Sequence, residues 1–567
     1  MIKHSNKPIV ILGAGLAGLS AANYLHRQGV PVILFESGNK IAGLAQSFHD
    51  EDGFTYDFGA HFITNRLAKA VGIEDQCRTV RHYAETVWLG GKNYSHPFGL
   101  MKVPRMTLSG ISAKIKSLTG NSKTETAADW FRAAYGTALA DEVAIPLTEA
   151  WSGAKANDLS PAVGDGISSG IGRTLLLKIA SRLTRRAVSC GYSRELPEKP
   201  SVYHVYPMGG IGTLCQKLAE GLDGVIQLES PVEKILVENG KAVGVRVNGR
   251  IQEASAVIST APVNILGKIV EGTNKLEPLT RFRYRPMIFV NLRLEGRGLL
   301  PDVVTWTPGS EFPFFRLTET ALSMPWLAPE GKTVITVDIG CEKGDEFWQM
   351  DDERLGELCV ENLKPIIPDV CSRYLGCRVL KTPIAYPVFL REYEQERRAL
   401  MDGTGVENLY SIGRNGEFSH IFMEDVHYRA EQKMKSLLDH SSEKAKVSNS
   451  QAVLSKNQLV VGLFNNNSTN GQKDKLGPAE AIAPAEWWRG KLEFMRENKE
   501  ITMLTQGFLT WSIFSLMTIS AWLAGVWLIY FGLQFFKLVS PGYDFLAAAS
   551  LATLVIAGTI NRFYKFA

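Results

Sequence analysis

Through about residue 440, apolar positions fall into short blocks and helical stripes that alternate along the chain. Ile9-Val10-Ile11-Leu12 is an uninterrupted apolar block after Pro8, the pattern of a strand buried on both faces of a parallel sheet. A small-residue stretch follows and runs into Ser20-Ala21-Ala22-Asn23-Tyr24-Leu25, which reads as a helix; Val32 to Phe35 reads as a second buried strand. Helices are expected over Ala127 to Phe131 and Asp141 to Trp151, and strands over Met287 to Leu292 and Thr333 to Val337. Residues 173–186 place Leu176, Ile179, Ala180 and Leu183 at helical spacing, with Lys178, Arg182, Arg185 and Arg186 elsewhere on the helix. That stretch reads either as a solvated helix face or as one suited to anionic headgroups or a diphosphate.

Beyond this the pattern changes. Residues 441–484 are rich in Ser, Asn, Lys and Gln and too poor in apolar residues to bury a core, so they read as a flexible linker. Residues 485–500 carry Trp487, Trp488, Leu492 and Met495 among charges, an interfacial amphipathic pattern. Ile501 to Phe536 contains no charged residue, long enough to cross a bilayer core of about 30 Å. A break at Ser540-Pro541-Gly542 and a second apolar run, Phe545 to Ile560, predict a transmembrane helical hairpin over 501–567. Arg489, Lys491, Arg496 and Lys499 before it, and Arg562 and Lys565 after it, put both ends on the cytoplasmic side. The expected location is therefore the membrane, with the body of the protein on its cytoplasmic face.

Composition narrows the classes. Lys plus Arg (62) nearly balance Asp plus Glu (58) over 567 residues, so no basic field argues for a nucleic-acid partner. Seven scattered cysteines without a CxxC fit reduced thiols rather than a disulfide framework, and no metal-ligand spacing is present. The sequence is compatible with a homo-oligomer.

The chemistry begins at Gly13-Ala14-Gly15-Leu16-Ala17-Gly18, directly after the first strand. Gly13 permits a tight turn, Gly15 lets a pyrophosphate approach the backbone, and Gly18 lets helix and strand pack closely. Glu36 ends the second strand about 20 residues later, where a carboxylate accepts from ribose hydroxyls and repels a 2′-phosphate. These features mark a dinucleotide site.

Further segments carry a resemblance. They are Lys40-Ile41-Ala42-Gly43-Leu44, Asp52 to His61, Tyr206 to Gly212, Pro231 to Ile235, Ala256 to Pro262, Asn408 to Phe418 and Met423 to Val426. With the glycine motif they resemble the flavoprotein superfamily of amine oxidases, protoporphyrinogen oxidases, phytoene desaturases and UDP-galactopyranose mutase. The resemblance implies an α/β fold: a Rossmann-like FAD-binding domain from 1–82, 200–265 and 381–440, and an inserted α+β substrate domain from 83–199 and 266–380. It implies FAD held at its ADP portion by Gly13, Ala14, Gly15, Gly18 and Glu36, with Gly43 and Gly59 close to the cofactor and the backbone at Val232 against adenine. Gly413, Arg414 and the helix starting near Met423 and Glu424 would approach the pyrophosphate and isoalloxazine ends. Ala42 departs from the pattern, since members usually carry glycine there.

On the substrate side the resemblance and the local context single out His61, Arg316, Tyr386 and His420 as candidate catalytic or pocket residues. Two chemistries are open. One is an FAD-dependent oxidoreductase drawing a hydrophobic or lipid-linked substrate from the membrane and passing hydride to flavin N5. The other is a redox-neutral enzyme like UDP-galactopyranose mutase, acting on a nucleotide- or lipid-linked sugar.

Overall fold

The computed structural model describes residues 7–59, 61–97, 99–118, 124–166 and 171–439. All lie in the first of two compact units, Met1–Gly462. The expected linker, interfacial segment and transmembrane hairpin of 441–567 lie outside the described residues; among those described, no helix is long and apolar enough to cross a membrane.

The apolar block at the start forms β1 (Ile9–Leu12), followed by α1 (Leu16–Arg27) and β2 (Val32–Phe35). Three later segments complete the sheet: β3 (Ile226–Gln227), β4 (Ala256–Ser259) and β5 (Leu409–Ser411). The five strands are parallel in the order β3-β2-β1-β4-β5, with Ile9 opposite both Val32 and Ala256. Alternation explains why β1 is apolar throughout. Ile9 and Ile11 pack with Leu19, Leu25, Leu214 and Met434 on the helical side. Val10 and Leu12 pack with Ile235, Val245 and Val263 on the other, where the antiparallel strands Val232–Glu238 and Lys241–Val247 cover the sheet.

The inserted region is built on a seven-stranded sheet. One end of it is the long antiparallel trio Tyr374–Pro387, Tyr284–Glu295 and Lys332–Gly340, extended in order by Arg316–Glu319, Val304–Trp306, Glu85–Leu89 and Lys92–Ser95. The expected boundary at 381 falls within Tyr374–Pro387, because that strand stays paired with Tyr284–Glu295 along its length. The helix Asp352–Leu363 covers one face of this sheet, packing Leu355, Cys359 and Leu363 with Ile288, Val290 and Leu292, and further helices surround it. Ala127–Tyr135 opens with a capping box in which Thr126 and Asp129 exchange side-chain and backbone hydrogen bonds. Two further helices are α2 (Pro104–Leu118) and α3 (Ile171–Thr184). A last helix, α4, runs over 423–439 and packs Val426, Ala430 and Met434 onto the dinucleotide-type sheet.

Candidate active site

The turn after β1 is shaped by steric necessity. Gly13 has φ +95°, and a Cβ there would stand 2.3 Å from Thr260 Oγ1. A Cβ on Gly18 would stand 1.9 Å from the Gly13 carbonyl oxygen, so α1 packs on the turn only because that position is bare. Gly15 differs: nothing lies within 4 Å of its Cβ position, leaving open space above the start of α1, whose first turn carries no acidic residue. Glu36 is held beside this space by backbone N–H groups, Ala14 donating to Oε2 at 2.7 Å and Gly38 to Oε1 at 2.8 Å. Ala42 takes φ +82°, the left-handed region glycine prefers, while its N–H donates to the Ala14 carbonyl at 2.8 Å.

From this turn a cavity of about 1840 Å³ runs through the protein. It is lined at one end by Gly13, Gly15, Glu36, Gly43 and Val232, and further along by Met423, Gly413 and Arg414. His61, Arg316, Tyr386 and His420 line the same cavity. The fold thus brings together residues that the sequence separates by as much as 400 positions.

Four expected site residues do not line it. Ala14 and Gly18 shape the turn from behind. Gly59, at φ +78°, lets its loop pass Phe289, whose Cε1 would be 2.9 Å from an added Cβ, and so positions Phe58 and His61 at the cavity. Glu424 is turned elsewhere: its carboxylate accepts from Arg66 Nε at 2.7 Å, Arg66 Nη2 at 2.8 Å and Thr64 Oγ1 at 2.6 Å. Being buried, that carboxylate needs those partners, and its side chain ties the start of α4 to Thr64 and Arg66.

Electrostatics concentrate at the middle of the cavity. The Arg414 guanidinium stacks over the Tyr386 ring, 4.8 Å from its centroid, and its Nε and Nη2 have no hydrogen-bond partner. Burial pulls its pKa down, and Arg316 adds repulsion. Arg316 lies 5.5 Å from the Trp306 ring centroid and pairs with the buried Asp338. Burial opposes its charge, but Asp338 together with Tyr386 and Tyr83 outweighs burial and raises its pKa. Burial, with Arg414 second, pushes His61 down to about 4. Burial and the neighbouring arginines Arg414, Arg194 and Arg316 hold His420 well below the ordinary histidine range. Both imidazoles are therefore neutral near pH 7, and the fixed positive charge belongs to the arginines.

Sequence reading did not reach several residues of this region. Asp57 anchors the loop before His61: Ser47 Oγ donates to its Oδ1 at 2.6 Å and the Tyr206 hydroxyl to its Oδ2, and burial pushes the carboxyl up to about 7. Trp151 stands 5.6 Å from Tyr386 and 6.1 Å from His420, ring to ring, and Tyr192 stacks on Phe422 at 4.4 Å. Glu85 accepts from Tyr83 at 2.5 Å and from Trp306 Nε1 at 3.0 Å at the cavity wall. The adjacency of Asp57 to the Gly59 turn, and of Tyr206 to Gly209-Gly210, is the signal that would have found that pair. The trio Arg281, Arg283 and Arg285 is spent on Glu396 and Glu342 and stays outside the cavity.

Comparison with known proteins places this geometry. Curated relatives include the 15-cis-phytoene desaturase of Glycine max, 27% identical over 276 residues, 46% of this chain and 48% of that protein. They also include the flavin-containing amine oxidase B of Sus scrofa, 24% identical over 414 residues, 67% of this chain and 72% of that one. The chain spans about half the length of the phytoene desaturases it matches. Among solved structures, reduced UDP-galactopyranose mutase superposes with a TM-score of 0.62 at 18% identity, covering 78% of this chain and 96% of that one. A protein described as a putative protoporphyrinogen oxidase from Exiguobacterium gives 0.59 at 16% identity, with 76% and 99% covered. At these identities the structural likeness establishes the fold. The family is flavin-containing, and the cavity fits FAD: open space over Gly15 at a helix start, a backbone-held carboxylate at Glu36, and unpaired buried donors on Arg414. The model of the flavin-containing amine oxidoreductases matches residues 16–426, and the chain belongs to that family.

Proposed function

We propose that the protein is an FAD-dependent oxidoreductase acting on a hydrophobic or lipid-linked substrate that it takes from a membrane. The observation carrying this reading is the single cavity, about 1840 Å³, that joins the dinucleotide turn to a region walled by Trp151, Tyr192, Trp306, Phe315, Tyr386 and Phe422. A pocket for one drug-sized ligand measures about 300–1,000 Å³, so this one accommodates a cofactor and an apolar substrate end to end. When bound, FAD supplies the acceptor for a hydride equivalent, which an oxygen, quinone or other external acceptor drains.

The chain's own part is positioning and charge. Gly13, Gly15, Glu36, Gly43 and Val232 hold the ADP portion, and Gly413 with the start of α4 meets the opposite end. Arg414 lines the cavity and brings a buried cation with unpaired Nε and Nη2 donors to its wall, where its charge stabilises a negative cofactor or substrate. His61 and His420, neutral, offer one donor and one acceptor each and keep the pocket free of a strong acid at pH 7. The aromatic wall excludes water from the reacting carbon and takes an apolar chain. Arg316, fixed by Asp338 and Trp306, orients the polar end of the substrate.

The redox-neutral reading draws on the same arginines, since two buried cations suit a phosphorylated sugar. Mass analysis of product decides between the two: loss of two hydrogens with stoichiometric acceptor consumption supports the oxidoreductase, and a product isomeric with substrate overturns it.

A further inference from the structure

The inserted helices α2 and α3 leave apolar side chains uncovered. Of thirteen large hydrophobic residues exposed among the described residues, seven lie on or beside these helices, so the exposure is local rather than scattered. On α2 they are Leu108 (67% exposed), Ile111 and Ile115, with Met101 just before it; on α3 they are Leu176, Ile179 and Leu183 (80%). Each set has the spacing i, i+3, i+7, which places it on one helical face. Each helix also lines the cavity, through Thr107, Gly110 and Lys114 on α2, where Ile111 and the neighbouring Met101 of the apolar set stand at the cavity too, and through Thr174, Lys178 and Ser181 on α3. The cavity therefore reaches the surface where the two apolar faces stand.

Charge says what covers them. Residues 100–118 contain Lys102, Arg105, Lys114 and Lys116 and no acidic residue; residues 171–186 contain Arg173, Lys178, Arg182, Arg185 and Arg186 and again none. In a chain whose charges otherwise nearly balance, with 62 basic and 58 acidic residues, two all-basic amphipathic helices at one opening complement an anionic surface. Arg105 is held by Glu142 at 2.6 Å and Arg186 lies over Tyr203 at 4.5 Å, but the pattern does not depend on them.

We infer that α2 and α3 form a docking surface for an anionic lipid bilayer, with their apolar faces entering the headgroup boundary around the mouth of the cavity. Docking stands on exposure and charge alone, independent of the flavin chemistry and of any anchor in residues 501–567. It gives an apolar substrate a path from bilayer to cavity without crossing water.

The test uses the full chain with Cys371, the exposed cysteine, replaced by serine. An environment-sensitive fluorophore is attached to cysteine at Ile111→Cys, at Leu183→Cys or, as a control away from both helices, at Met401→Cys, itself 70% exposed. Vesicles of phosphatidylglycerol and phosphatidylcholine carrying a quencher on the acyl chain should quench positions 111 and 183 severalfold more than 401. The effect should fall in high salt, in purely neutral vesicles, and in the Lys102→Glu/Arg182→Glu variant, by about fivefold in apparent affinity for each charge reversed or removed. Equal quenching at all three positions, or none at 111 and 183, overturns the proposal. So does a fluorophore already shielded from an aqueous quencher before lipid is added, since the chain's own C-terminal segment would then be the occupant. Flavin absorbance read on the same samples reports cofactor binding separately.

Discussion

Arg414 shows what a single residue discloses when its surroundings are known. A buried guanidinium with unpaired Nε and Nη2 is destabilising by itself, because leaving buried charged donors unpaired costs on the order of 1–3 kcal/mol. Arg414→Met should therefore raise the unfolding free energy of flavin-free protein by about that much while weakening FAD retention; a lower unfolding free energy would show that the charge is satisfied. Ala42 presents the opposite case. Its φ of +82° strains an alanine, so Ala42→Gly should gain about 0.5–1 kcal/mol in chemical unfolding, after the glycine's extra chain entropy is deducted. From the sequence alone Ala42 is only a departure from a pattern, and Arg414 is a cofactor-binding candidate whose unpaired donors are not visible. Unpaired donors and backbone angles arise from packing that no local pattern specifies.

At the scale of elements, the strand, glycine turn and helix at the amino terminus were legible because each feature is local: an apolar block, three glycines at set spacing, and a carboxylate ending the next strand. Their sterics make a sharp prediction. A methyl group at Gly18 would sit 1.9 Å from the Gly13 carbonyl, so Gly18→Ala should push α1 off the turn. It should cost about 1–3 kcal/mol of stability and most of the FAD affinity, measured by thermal unfolding and flavin titration. Gly15→Ala, which meets nothing within 4 Å in the protein itself, should leave flavin-free stability nearly unchanged and impair only binding. What the sequence withheld were pairings across long separations. The strand Glu85–Leu89 joins Val304–Trp306 in parallel, more than 200 residues away, and nothing in either segment names the other. The exposed faces of α2 and α3 are of the same kind: periodicity marks an apolar stripe, but only the tertiary structure shows that nothing described covers it.

For the whole molecule, the buried histidines and the buried Asp57 carboxyl pull the response to pH in opposite directions. Burial holds His61 and His204 down to about 4, and burial with the neighbouring arginines holds His420 well below its ordinary value near 6.5. A group depressed in this way binds its proton in the unfolded chain first, so the unfolded state gains protons as pH falls from about 6.5 to 4 and stability drops across that window. The loss should approach about 3 kcal/mol for His61 and for His204, and His204→Gln should lose less stability than the unsubstituted protein between pH 6.5 and 4. Asp57, whose carboxyl burial raises to about 7, acts with the opposite sign over the same window, so the readout is the difference between the His204→Gln and unsubstituted profiles; identical profiles would contradict the burial of that imidazole.

The discontinuous body assembled around β1 exists, on this account, to stretch a dinucleotide from Glu36 to Arg414, and flavin titration of the purified full chain tests that most directly. Stoichiometric FAD binding with retained visible absorbance after gel filtration, weakened at least tenfold by Glu36→Ala, is the predicted result. Protein that stays colourless and takes up no FAD would contradict it.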